Sequence, residues 1–435
     1  MTKQSCRDRL ELALFRIAEP DGEGARACLT VYHDGARAAA DAADARSRLG
    51  LSLGPLDGTI VSIKDLFDVA GEPTRAGSKI LAEEAAPAAA DAAIVRRLRA
   101  GGAVIVAKTN MTEFAFSGIG ANPHFGTPGN PHDRARVPGG SSAGAPVAVA
   151  DGMCEISIGT DTGGSVRIPA ALCGLVGFKP SRQRVPTDGA FPLSYTLDSI
   201  GPISRTVADC ARADAVMAGE EFSFSPPEPA ALAGLRCGIA QGLPLENLDN
   251  TVSAAFTAAI SALEKAGLRV SRENLPFDEM VAVNAKGGIS PPEACAIHRD
   301  LLKRRPADID PNVLVRIERG CSVSAADYVD MMRERARLVN AMDGRLAALD
   351  LLVMPTTPIV APTIAEVEDR KVFNARNMLL LRNTNIINFF DLCAITLPLP
   401  VAAGTMPVGL MLVARNGQDK RLLSIAAAVA ELFAG

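Results

Sequence analysis

An α/β fold with a largely covered sheet is what this 435-residue sequence predicts. Two observations carry the expectation. Short apolar runs with strand character at 59–65 and 103–107 flank an amphipathic helical stretch at 91–100, giving a strand–helix–strand order. Hydrophobic residues make up 48% of the chain and charged residues 22%, enough apolar material for a large buried core.

Taken in order, residues 34–48 alternate alanine with charge, which suits an exposed helix. Gly54-Pro55-Leu56-Asp57-Gly58 is turn chemistry, and the strand after it ends in the charged pair Lys64-Asp65. The helix at 91–100 starts near Asp91 and stops at Gly101-Gly102. Residues 116–146 are dominated by glycine, proline, asparagine and serine, a loop length that compact domains keep mainly for function. A helix is expected to start at 145–150 and a strand at 155–159, followed by a second glycine-rich turn. Pro226, Pro227 and Pro229 mark a linker near 222–234. Residues 250–345 read as mostly helical, broken at Pro291-Pro292 and Pro306. Apolar strands return at 350–354 and 393–399, and a helix at about 419–433 closes the chain.

The net charge is −4 with no basic face, so nothing favours nucleic acid or an anionic membrane surface. The nine cysteines are odd in number, scattered and free of any C-x-x-C pair. They suggest neither a disulfide framework nor a zinc site, and most read as small core residues. The N-terminus lacks an apolar signal region and no run reaches membrane-spanning length, so a soluble cytoplasmic protein is expected.

Two small-residue clusters stand out: Pro138-Gly139-Gly140-Ser141-Ser142-Ala143-Gly144, and the run from Gly159-Thr160-Asp161 through Thr162-Gly163-Gly164-Ser165 to Arg167. Glycines let a backbone turn tightly around a ligand, and successive N–H groups in such a turn converge on an anion. A serine at the end of the turn then sits beside a pocket for a developing oxyanion, the arrangement acyl transfer needs. None of the four histidines lies in a triad-like motif. Lys64, at the end of an apolar strand, is the better base, because burial can strip its charge near pH 7. Ser141 could bridge it to Ser165. On the residues alone, plain turns and a solvated lysine remain an equal alternative.

The stretch from Gly54 to about Asp209 resembles the amidase signature family. The matching residues are Ser62-Ile63-Lys64-Asp65, Lys108-Thr109-Asn110-Met111, the two glycine–serine clusters, Gly177-Phe178-Lys179-Pro180 and Asp198-Ser199-Ile200-Gly201-Pro202. Met354-Pro355-Thr356-Thr357-Pro358 and Met406-Pro407-Val408-Gly409-Leu410 are similar to the family's closing strands. The resemblance implies one large α/β domain over 1–435, with a central, mixed, mostly parallel twisted β-sheet covered by helices on both faces. Within it lie a motif core at 54–215, a variable and mainly helical region at about 222–345, and closing strands with a C-terminal helix at 350–435. It makes Lys64 the base, Ser141 a relay in cis conformation and Ser165 the acyl-forming nucleophile. The N–H groups of Thr162, Gly163, Gly164 and Ser165 would form the oxyanion pocket. Ser142, Asp161 and Arg167 would support the site, with a structural ion pair the leading role for Arg167. The implied activity is hydrolysis of a small-molecule carboxamide with no metal or cofactor. Phe389-Phe390-Asp391-Leu392-Cys393 departs from the Gly-Leu-Pro common in the family, and this bears on the substrate.

Rival readings exist. Gly140-Ser141-Ser142-Ala143-Gly144 fits G-x-S-x-G, which would make Ser142 the nucleophile and His298 its base. A cysteine amidase would use Cys173 or Cys154 with Lys64 and Glu113. A glutamine-hydrolysing subunit of an amidotransferase shares the same motifs, so a small accessory subunit and a homodimer both stay open. For the substrate, aryl acetamides, dicarboxylic monoamides and biuret-type ureides are the candidates, the last faintly favoured by residues 383–389. Tyr328 could line the pocket or simply pack a helix, packing being the default.

Overall fold

A computed structural model describes residues 4–434. Eleven strands form one sheet: Cys28–Val31 (β1), Ile60–Lys64 (β2), Val104–Thr109 (β3), Ile156–Thr160 (β4), Val176–Lys179 (β5), Ile200–Ser204 (β6), Arg236–Ala240 (β7), Arg269–Glu273 (β8), Leu351–Pro355 (β9), Cys393–Pro398 (β10) and Gly409–Ala414 (β11). Their order is β1-β3-β2-β4-β6-β5-β10-β11-β9-β7-β8. The sheet is mixed. Its parallel pairs form two blocks, β3-β2-β4 and β9-β7-β8, and the ladders between and beside them run antiparallel.

Alternate residues along a strand point to opposite faces, and here both faces are buried. Val61 and Ile63 of β2 join one apolar cluster with Ile94 and Leu98 of the helix Ala93–Ala100. Ile60 points the other way, into a cluster with Leu10, Ala40 and Val147 from three helices. In the second half, Leu410 and Leu412 pack with the C-terminal helix Asp419–Ala434, whereas Met411 and Val413 pack toward the helices Ala325–Leu346 and Arg370–Phe389. This is the covered α/β sheet expected from the sequence.

The region 222–345 is mainly helical and also supplies β7 and β8. Residues 224–232 run without regular structure towards β7 of the same sheet, and Ala230 N–H donates to the Ser424 carbonyl of the C-terminal helix. One expectation needs correction. Two cysteines are not free core residues: Cys295 and Cys321 form a disulfide between the helices Ser290–Ile297 and Pro311–Cys321. The other seven cysteines are buried and free.

The glycine-rich stretch between the short helical turn Glu113–Ala115 and the helix Gly144–Ala150 has no regular structure, as its composition suggests. Side-chain amides satisfy its backbone instead. Asn122 Nδ2 donates to the Gly77 and Met111 carbonyls at 2.9 and 2.7 Å, and Asn130 Nδ2 donates to the Val137 and Leu172 carbonyls. Its end is packed too tightly for a side chain: a Cβ on Gly140 would lie 2.6 Å from the Gly120 nitrogen.

Candidate active site

The ends of β2 and β4 meet at one edge of the central sheet, where the loops after parallel strands gather. Lys64 is the last residue of β2 and is 0% exposed. Its Nζ donates to Ser141 Oγ and to Thr160 Oγ1, both at 2.8 Å. No carboxylate among the described residues pairs directly with it. Burial therefore dominates and lowers its pKa to about 7, against the opposing pull of Asp198 and Asp161. A neutral amine keeps a lone pair that can accept the Ser141 hydroxyl proton. The Gly140–Ser141 peptide bond is cis.

Thr160 ends β4, and the chain then turns through 161–166 into the short helix Arg167–Leu172. Among the described residues, the N–H groups of Thr162, Gly163, Gly164 and Ser165 donate to no protein acceptor. Thr162, Gly163 and Ser165 line a cavity of about 560 Å³. Ser165 Oγ makes no hydrogen bond among the described residues, so Lys64 and Ser141 are joined whereas the expected Ser141–Ser165 bond is not formed. Gly164 has φ +133°, and a Cβ there would lie 2.1 Å from Thr384 Oγ1, so only glycine fits.

The turn is held from beneath by Asp161, whose Oδ2 accepts from the Val166 and Arg167 N–H groups at 3.2 and 3.4 Å. Arg167 grips the same carboxylate with Nε at 3.0 Å and Nη2 at 2.8 Å. Burial raises the Asp161 pKa, but Arg167, Lys179 and Asn388 outweigh it and bring the group to about 2. Arg167 is fully buried and lines no part of the cavity, so its contacts are those of an internal ion pair. Ser142 is buried with Oγ directed at the Thr160 carbonyl, 3.5 Å away.

Residues distant in sequence complete the turn. Asn388 Nδ2 donates to both the carbonyl and Oδ1 of Asp161 at 3.0 Å, and Thr384 Oγ1 donates to the Gly163 carbonyl at 2.6 Å. Asp198 accepts from Thr162 Oγ1 and from the Leu193 and Ser194 N–H groups, and burial raises it to about 6. Sequence reasoning missed these three as site residues. Asp198 left a signal as the first residue of a matched motif, and Thr384 and Asn388 lie in the run 383–389 noted only for its bearing on the substrate.

The rival arrangements lack the necessary contacts. His298 is buried among rings, its ring centroid 4.0 Å from that of Phe114 and 5.7 Å from that of Phe191, with neither nitrogen hydrogen-bonded among the described residues. It therefore cannot serve Ser142 as a base. Cys154 and Cys173 are fully buried, which pushes both thiols up, Cys154 to about 12, away from the reactive thiolate. Glu113 accepts from the Asp310 N–H at 2.6 Å, across the sheet from either cysteine's cluster. Tyr328 does not line the cavity; its hydroxyl donates to Glu293 Oε1 at 2.6 Å. Among the described residues no cluster of three His, Cys, Asp or Glu side chains is placed to hold a metal, and no helix is long and apolar enough to cross a membrane.

A covered α/β sheet with a buried lysine on a serine hydroxyl, beside a glycine turn of unpaired N–H groups, defines a hydrolase acting on amide C–N bonds. The chain belongs to the amidase family, whose model (Amidase) matches residues 10–423. It is 39% identical over 411 residues to a 2-amino-5-chloromuconic acid deaminase of Comamonas testosteroni, covering 92% of this chain and 87% of that one. A 1-carboxybiuret hydrolase subunit of Pseudomonas sp. (strain ADP) is 37% identical over 83% of this chain and 80% of its own. A crystal structure of an amidase superposes with TM-score 0.87 and 33% identity, over 99% of this chain and 96% of that one.

Proposed function

We propose that the protein hydrolyses a small-molecule carboxamide to its acid and ammonia, through an acyl-enzyme on Ser165. The observation that carries this reading is the fully buried Lys64 amine bonded to Ser141 Oγ beside the unpaired N–H run 162–165. Ser165 Oγ forms a bond to the amide carbon as its proton passes to Ser141 Oγ and the Ser141 proton passes to Lys64 Nζ. The oxyanion is received by the N–H groups of the turn, each such donor contributing about 2.7–4 kcal/mol to the transition state. The proton returns to the leaving nitrogen, the C–N bond breaks and ammonia departs. Water then attacks the acyl carbon and gives its proton to the same relay. The ester bond to Ser165 breaks and the alcohol is restored. The transfer requires Ser141 and Ser165 to meet, and such contacts commonly close on substrate binding.

A free-standing amidase is proposed over a glutamine-hydrolysing subunit for a chemical reason. Glutamine carries an ammonium group, and among the described residues no carboxylate lines the cavity to receive one. A cytoplasmic location belongs to the same proposal, with the Cys295–Cys321 disulfide as the feature that argues against it. The test is ammonia release from a panel of aryl acetamides, dicarboxylic monoamides and ureides by wild type and Ser165→Ala. The variant is expected to lose at least about 10³-fold in kcat. Wild-type turnover by Ser165→Ala, or activity appearing only with a co-purifying chain, would overturn the reading.

A further inference from the structure

The segment 193–199 joins the cavity wall to the glycine turn. Leu193 and Leu197 line the cavity beside Ser165. Thr162 Oγ1 donates to Asp198 Oδ1, and the Leu193 and Ser194 N–H groups donate to Asp198 Oδ2 at 2.9 and 3.1 Å. Ser199 continues the join: the Asp161 N–H donates to its carbonyl, and its Oγ donates to the Asp161 carbonyl, both at 2.8 Å.

From the other side the segment is held by Glu293, on the helix Ser290–Ile297. Glu293 is buried and accepts four hydrogen bonds, from Ser194 Oγ and the Thr196 N–H on Oε2 and from Thr196 Oγ1 and Tyr328 Oη on Oε1. A carboxylate offers about four acceptor sites, so these neutral donors fill it. Taking such a group out of water is costly without them. Ser194 is bonded to Glu293 through its hydroxyl and to Asp198 through its N–H, so one residue separates the two carboxylates. Tyr328 ties Glu293 to the helix Ala325–Leu346, and the Cys295–Cys321 disulfide ties its own helix to Pro311–Cys321. Glu293 does not line the cavity, so any effect on the reaction passes through these contacts.

We infer that Glu293 is a positioning residue for amide hydrolysis: by holding Ser194 and Thr196 it fixes Asp198, and through Asp198 it fixes Thr162 at the start of the N–H run that receives the oxyanion. The inference rests on the amidase reading and adds to it a residue from outside the glycine–serine clusters.

Two measurements on the whole chain test it. Hydrogen exchange needs no substrate and compares wild type with Glu293→Gln, whose amide nitrogen cannot accept the bonds at its end. Faster exchange is expected at 193–199 and at 161–166. Faster exchange confined to the helices 290–297 and 325–346, or none, overturns the inference. The second measurement is a double-mutant cycle on kcat with Thr162→Val, which keeps the N–H of the turn and removes the hydroxyl that meets Asp198. Glu293→Gln is expected to lower kcat about tenfold in wild type but less than about threefold further in Thr162→Val. A glutamate that only stabilised the fold would cost the same factor in both backgrounds. That result, or wild-type kcat in Glu293→Gln, sinks the inference while leaving amide hydrolysis intact. Should Glu293→Gln fail to fold, Thr196→Val and Tyr328→Phe each remove one donor and replace it in both measurements, with unchanged exchange and kcat counting against the role. Absence of amide turnover by wild type would fail the amidase reading alone, and exchange would still decide whether Glu293 holds the turn.

Discussion

Lys64 shows how one residue trades stability for reactivity. Its pKa falls from 10.5 to about 7 because it is buried with two hydroxyl partners and no directly paired carboxylate. Only the neutral amine can act as a base. On the proposed mechanism kcat/KM therefore rises with pH through about 7 and then levels off. A pH–rate profile that falls on the alkaline side of neutrality would contradict this. Lys64→Arg, which cannot shed its proton, is expected to be inactive at every pH. The same shift affects folding. Between pH 7 and 10.5 the unfolded chain holds a proton that the folded chain has released, so stability rises with pH across that window. Lys64→Met is accordingly expected to gain about 2–4 kcal/mol in urea denaturation at pH 7 while losing turnover, a gain that shrinks by pH 9.5. Lys64 was legible in the sequence as a charge ending an apolar strand. Thr160 Oγ1 as its second partner was not, since only the side-by-side pairing of β2 and β4 creates that contact.

At the scale of elements, the turn 161–166 is a clamp between β4 and two helices. The two glycine–serine clusters were legible because tight backbone turns demand local residue types. The run 383–389 was noted for the substrate, but the contacts of Asn388 and Thr384 with the turn were not legible, because they reach it from a long helix distant in sequence. The buried Arg167–Asp161 pair makes the clamp testable. Removing the guanidinium leaves a buried carboxylate without its main partner, so Arg167→Met is expected to cost about 3–5 kcal/mol by denaturation, with kcat falling as the turn loosens. Adding Asp161→Asn to that variant should recover much of the stability. If instead Arg167→Met raised KM at unchanged stability, the arginine would be a substrate contact. Strands β1, β5, β6, β7 and β8 escaped the sequence reading, and for the last two the reason is local. β7, Arg236-Cys237-Gly238-Ile239-Ala240, is short and carries a glycine in its interior. β8, Arg269-Val270-Ser271-Arg272-Glu273, is an edge strand whose charges blunt the sheet margin and mask its alternation.

Over the whole molecule, one buried group couples global stability to acid. His298 lies against the apolar cluster that joins β2, β3 and β4 to the outer helices, beside Phe114 and Phe191 and, among the described residues, without a hydrogen-bond partner on either nitrogen. Desolvation lowers its pKa from 6.5 to about 4. The folded protein therefore keeps the ring neutral where the unfolded chain protonates it. The contribution is fully present above pH 6.5 and is lost as pH falls toward 4. By linkage the loss reaches about 2 kcal/mol at pH 5. His298→Leu keeps a similar volume, removes the titration and spares every group at the glycine turn. Relative to its difference from wild type at pH 7.5, it should gain about 2 kcal/mol at pH 5 in chemical denaturation. A stability difference that stays constant across this range would mean that the ring is not neutral and dry in the folded state. The packing assigned to this half of the core would then be wrong.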